Sequence, residues 1–227
     1  MGTFTDDEFG EVTIRKSKIA RNIKLSIAPN GTLRVSMHPL TPIFLAKRLV
    51  SSSRHQIREM LSTTNLQIFS DGMQVGKSHS IHIRPASLLQ VKITKQIIDV
   101  ALPSGMAITE KIVQSEIRNV VIKALRKEAK AYLPKRLAYL AKKHAFYYTK
   151  VQFSHASSRW GSCSSSGTIS LNIALMKLDF EMIDYVLLHE LVHTLEMNHS
   201  DKFWANLGNV FPSYKHVRKK IKLENPS

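Results

Sequence analysis

The chain has 227 residues, of which 43% are apolar and 22% charged. That apolar content suffices for one large domain or two small ones, and excludes a disordered or low-complexity chain. Lys and Arg number 33 against 17 Asp and Glu, a net +16 spread over both halves: 14 against 7 in residues 1–103, and 19 against 10 in residues 104–227. Such a field attracts polyanions weakly and without sequence preference. No nucleic-acid motif accompanies the charge, and a solvated basic surface accounts for it. One cysteine, Cys163, excludes an internal disulfide framework and fits a reducing compartment. The acidic start has no apolar signal region. The most apolar stretch, 183–195, is interrupted by Asp184, His189, Glu190 and His193. Neither a secretory signal nor a membrane span is expected, and a cytoplasmic location is.

Residues 11–15 and 24–28 alternate apolar and polar side chains; Asn30-Gly31 then marks a turn, and 32–37 resume the alternation as a hairpin. Thr41-Pro42 suits a helix start, and Phe44 to Leu61 has helical spacing. Asp71-Gly72 marks a turn before short strands near 80–83, 89–93 and 97–100. Pro103-Ser-Gly105 is the expected boundary. From Thr109 the period becomes helical, through Ile112, Val113, Ile117, Val121, Leu125, Leu133, Leu137 and Leu140. Pro134 is expected to kink or split this helix. Strands at 151–155 and 168–172 flank the turn-rich 161–167. A strong helix pattern spans Phe180 to Met197 with Asp179 placed to cap it, Ser200 can cap a short helix, and Pro212 fits the first turn of a last one.

Gly72 to Ser78 looks like a phosphate-binding loop but fails as one. Only three residues separate Gly72 from Gly76, and a strand follows where a helix N-terminus is needed.

The informative segment is His189-Glu190-Leu191-Val192-His193. Two histidines four apart on a helix share a face and can reach one metal ion. Glu190 projects beside that pair, where it can serve as general base toward a metal-bound water, the zincin arrangement. A catalytic zinc takes three protein ligands. His199, ten residues after His189, is the expected third, with Asn198 taking a left-handed turn where related patterns carry glycine. Glu196 is the rival ligand, or a partner that orients a histidine; Glu224 is the only other downstream glutamate.

His189 to Trp204, together with Ser158-Arg-Trp-Gly-Ser-Cys163, Leu171-Asn172, Ile183-Asp-Tyr-Val186 and Pro212-Ser-Tyr-Lys215, resembles the YgjP-like (DUF45) metallopeptidase family, allied to the WLM and SprT-like zinc proteases. The likeness runs from about residue 12 to 222. It implies an α+β fold, with an N-terminal β-rich region carrying one helix over 12–105 and a zincin-like catalytic region over 106–227. It further implies Zn2+ held by His189, His193 and His199. Arg159, in the RWGSC segment, is a candidate for stabilising negative charge on a substrate oxygen, or else a structural pair with Trp160 filling the core. Cys163 lacks an activating partner for a nucleophile's role, and as a fourth ligand it would close the site. Tyr185 is a candidate oxyanion donor or a packing residue. The expected activity is zinc-dependent peptide hydrolysis. Nucleoside triphosphate pyrophosphohydrolysis and DNA-recruited proteolysis are the alternatives that relatives suggest.

Overall fold

The computed structural model describes residues 2–28, 31–63 and 67–226, which form two compact units divided between Ile68 and Phe69. The fold is α+β. The boundary expected at 103–105 falls inside the second unit, between a strand and the long helix.

The first unit holds a four-stranded sheet of β1 (Gly2–Asp6), β2 (Gly10–Lys16), β3 (Lys24–Ile27) and β4 (Leu33–Met37), in the order β1-β2-β4-β3. β3 and β4 pair antiparallel from Ile27↔Leu33 to Lys24↔Ser36, as the alternation requires. Asn30 of the expected turn lies outside the described residues. β1 was not evident in the sequence, because Phe4 is its one large apolar residue; it pairs antiparallel with β2. Val12, Ile14, Leu33, Val35 and Met37 face Ala46, Val50 and Ile57 of α1 (Ile43–Ser52) and α2 (Arg54–Thr63). The single helix expected over 44–61 is therefore two. Ser53 breaks it (φ −110°, ψ 22°) after a run of serines, and the Ser52 hydroxyl donates to the Leu49 carbonyl at 3.1 Å.

The second unit carries two sheets. β5 (Gln74–Val75), β6 (His79–Ala86), β7 (Gln90–Thr94) and β8 (Ile97–Pro103) order as β5-β6-β8-β7. β9 (Lys150–Ser154), β10 (Gly161–Cys163) and β11 (Thr168–Asn172) order as β10-β11-β9, with β9 and β11 parallel and β10 antiparallel at the edge. β10 lies in the segment expected as turn. It is short and built of small residues, so no alternation announces it.

α3 (Lys111–Lys143) packs against both sheets through Val113, Ile117, Val121, Leu125, Leu133, Leu137 and Leu140. Ile112, expected on that stripe, is instead exposed. α3 runs unbroken through Pro134, so the expected split does not occur. The lost bond frees the carbonyl of Lys130, a residue on the exposed side of the helix. A 3-10 turn at Ile173–Lys177 leads into α4 (Phe180–Val192), followed by α5 (Asp201–Val210) and α6 (Tyr214–Ile221).

The segment that imitates a phosphate loop receives an internal anion instead. Lys77 N–H, Ser78 N–H and the Ser78 hydroxyl donate to the Glu128 carboxylate of α3 at 2.6, 2.9 and 2.8 Å, and His79 Nδ1 meets it at 2.5 Å. Burial pushes the Glu128 carboxyl up, but these hydrogen bonds outweigh it and hold the group below its ordinary value. Gly76 sits at φ 63°, and a Cβ there would collide with the same carboxylate.

Candidate metal centre

α4 is apolar nearly all round and correspondingly buried: Met182, Ile183, Val186, Leu187, Leu188, Leu191 and Val192 all lie in the core. Arg136 of α3 grips Asp184 through two parallel hydrogen bonds of 2.7 and 2.5 Å, which fixes the helix against its neighbour. Asp179 occupies the N-cap position but makes no side-chain cap bond. The helix ends at Val192, not at Met197. His193 is its cap residue and keeps helical backbone angles (φ −63°, ψ −16°), so the spacing of four from His189 is retained.

The chain then returns through turns at 193–195. Asn198 does not take a left-handed conformation; Lys95 and Ala145 are the non-glycine residues with positive φ among the described residues. Because the helix stops five residues early, the irregular segment is long enough to turn back without one. Ser200 caps α5 by accepting from Phe203 N–H at 3.3 Å. That cap sets His199 immediately before the helix and Phe203 inside it. Pro212 precedes the cap residue Ser213 of α6, so it lies just outside the first turn expected of it.

His189, His193 and His199 are thereby brought together, with ligand atoms all within 4.8 Å of one another. The Nε2 atoms of His189 and His199 are 2.9 Å apart. Fully buried Phe203 lies beneath all three rings, with centroids 4.9, 4.6 and 4.7 Å from those of His189, His193 and His199. His193 Nδ1 lies 3.0 Å from the Glu196 backbone carbonyl, to which it donates, a bond that selects the tautomer of the neutral ring with its lone pair on Nε2. Glu196 thus orients a histidine through its main chain, while its carboxylate faces Lys202 at 3.8 Å. Trp204 Nε1–H donates to the His199 carbonyl at 3.1 Å and its ring stacks on the His199 ring.

Electrostatics follow from burial. His189 is pushed down to about 3 by desolvation and by the neighbouring His193, His199 and Arg218. His199 is lowered by burial, His193 and Arg218. Both imidazoles are therefore neutral at neutral pH, the form that ligates a metal. Glu190 is 5% exposed and pushed up to about 8 by burial, against the pull of Arg159. His189 Nδ1 and Glu190 Oε2 are buried with no hydrogen-bond partner. Three converging imidazoles beside an unpartnered buried carboxylate are a donor set that fits a divalent cation.

β10 packs on α4 with Gly161 against Glu190, where a Cβ would lie 2.6 Å from Oε1. The exposed Arg159 stands two residues before it, and its backbone carbonyl accepts from Asn172 Nδ2 at 2.9 Å. Trp160 packs against the core. The Cys163 thiol is outside the histidine group, and burial together with Glu190 pushes its pKa up. Tyr185 is buried, with its ring 5.8 Å from that of His189. Glu224, His155 and His216 lie outside the group. Gly161, Phe203, Trp204, Arg218 and the Glu196 carbonyl were not singled out from sequence. A contact between a glycine and a carboxylate leaves no mark in spacing, and a main-chain acceptor has no residue signature at all.

Residues 21–224 match the description YgjP-like, metallopeptidase domain. The chain belongs to the YgjP-like metallopeptidase family. Two solved metallopeptidase zymogens are also similar. Abylysin of Pyrococcus abyssi is 26% identical over 39% of this chain and 90% of its own, with a TM-score of 0.36. Jannalysin of Methanocaldococcus jannaschii is 23% identical over 40% and 93%, also at 0.36. No curated protein matches the chain significantly. Membership in the YgjP-like family makes the chain a metal-dependent protease acting on peptide substrates. Among the described residues no helix is long and apolar enough to cross a membrane.

Proposed function

We propose that the protein is a zinc metallopeptidase in which His189, His193 and His199 hold the ion and Glu190 is the general base. One observation carries this reading: three imidazoles converge beside a buried carboxyl group with an unpartnered oxygen. Bound zinc supplies Lewis acidity, polarising a carbonyl and lowering the pKa of water.

The chain's own residues do the rest. Phe203 and the Glu196 carbonyl hold the imidazoles in place. Glu190, whose pKa the charge of the bound ion would lower from its raised metal-free value, would then be ionised, take the proton of the attacking water on Oε2 and return it to the leaving amine. Arg159 lies close enough to Glu190 to lower its pKa and stands at the rim, where it stabilises negative charge on the substrate oxygen.

The edge strand supports a peptide substrate. Asn172 N–H bonds to Trp160 O and Ser164 N–H to Thr168 O, which sets the inward pairs at 160, 162 and 164. The backbone groups of Gly161 and Cys163 therefore face the open edge, where an extended peptide adds as a further strand. Zinc content measured beside peptide hydrolysis, in the wild type and in Glu190→Gln, tests the reading.

A further inference from the structure

Two guanidinium groups stand beside the candidate centre, Arg159 by Glu190 and Arg218 over Trp204, and among the described residues neither forms a salt bridge. Arg159 acts on Glu190, as above. Arg218, on the exposed face of α6, lays its guanidinium over the Trp204 ring, 4.2 Å from the centroid. The same ring stacks on His199 at 5.5 Å and 25°, and on Tyr214 at 5.7 Å and 15°. Trp204 is tied to His199 by the Nε1–H bond to its carbonyl. One fixed aromatic plate therefore carries both a guanidinium and a histidine of the centre.

The Arg218 side chain is exposed above that ring, so its guanidinium has N–H donors to offer a further acceptor, in the fork that matches a carboxylate. Lys215, Lys219 and Lys220 on the same helix add positive charge without that geometry.

We propose that Arg218 is a specificity-determining residue that receives an Asp or Glu side chain of the substrate near the scissile bond, so that the enzyme favours acidic peptides. This rests on the metallopeptidase reading of the site. The shared chemistry is a peptide carboxylate, and the side chain rather than the chain end is assigned because β10 is an edge strand, which under the proposed substrate mode would pair with an internal extended segment.

The test is calorimetric titration of zinc-loaded Glu190→Gln protein, which binds without turnover, at low ionic strength. The probes are acetyl-Glu-Glu-Ala-Ala-Glu-Glu-amide, its Gln counterpart as the amide, and that Gln counterpart with a free C-terminus. The Glu peptide is expected to bind about tenfold or more tightly than the Gln amide. Adding Arg218→Met, which keeps the packing stem, should bring the two within about twofold, with Arg218→Lys between. Equal affinities, an Arg218→Met loss shared by both amides, or a gain carried only by the free C-terminus would overturn the proposal. So would an Arg218-dependent affinity for ATP exceeding that for the Glu peptide. Failure of the wild type to hydrolyse any peptide would count against the zinc peptidase mechanism instead, and would leave this binding comparison intact.

Discussion

Gly161 lies directly against the Glu190 side chain: a Cβ on Gly161 would sit 2.6 Å from Oε1, 2.8 Å from Cγ and 2.9 Å from Cδ. These separations are shorter than real Cβ contacts, so any other residue must displace the carboxylate or the strand. The edge strand and α4 meet at that point. The main chain of β10 thus holds the proposed base where a rotamer change would otherwise move it.

Gly161→Ala is expected to lower kcat by about tenfold or more while zinc is retained, because the displaced group is not a ligand. The overpacking should cost about 1–3 kcal/mol of stability. Steady-state kinetics, metal analysis and thermal melting of one preparation check this. Unchanged kcat would mean that the carboxylate position is not set by β10.

Metal binding should map onto the three imidazoles. Purified protein is expected to carry about one zinc per chain. His189→Ala and His193→Ala should abolish tight binding, and His199→Ala should weaken it about tenfold or more. Glu196→Ala should keep its zinc, since the atom that orients His193 is the Glu196 main-chain oxygen. Equilibrium dialysis with metal analysis measures all four. Zinc lost from Glu196→Ala and kept by His199→Ala would reverse the ligand assignment.

The metal-free protein should show a pH dependence with two limbs of opposite sign. Glu190 is raised from 4.5 to about 8 in the folded state. Its contribution to stability is therefore full below about 4.5 and is lost as pH rises through about 8. His189 is lowered from 6.5 to about 3. Its contribution is present above about 6.5 and is lost as pH falls toward about 3. In excess chelator, Tm of the wild type should fall between pH 6.5 and 8.5, and Glu190→Gln should flatten that limb alone. An unaltered alkaline slope in Glu190→Gln would contradict the burial argument.

Glu128 offers a test away from the metal. Four donors converge on its buried carboxylate. Glu128→Ala strands them and should cost about 2–4 kcal/mol in denaturant unfolding. A cost below about 1 kcal/mol would show that water replaces the carboxylate without penalty.

Much of this architecture is legible in the sequence because burial imposes periods. The β3–β4 hairpin follows from alternation over 24–37, and α3 from a stripe sustained over eight turns. The Ser200 cap is read from residue type alone. Boundaries are less legible. α4 stops at Val192 although apolar residues continue to Leu195 and Met197, which are exposed. The return of the chain to His199 decides that end, and it is a tertiary constraint. The same holds for β10, which three small residues form because β11 and α4 lie beside it. The spacing of the histidines points to one ion, but the contacts that seat them come from Phe203 and the Glu196 carbonyl, and the one that holds Glu190 comes from Gly161, none of which spacing can encode.

The central claim is that Glu190 moves the proton of an attacking water beside a zinc held by three histidines. The most direct measurement is hydrolysis of a casein-derived peptide mixture by zinc-loaded wild type and Glu190→Gln, with zinc content determined in the same samples. The account predicts about one zinc per chain in both proteins, with cleavage by the variant slower by at least about 10²-fold. Cleavage by the fully zinc-loaded variant at the wild-type rate would contradict it.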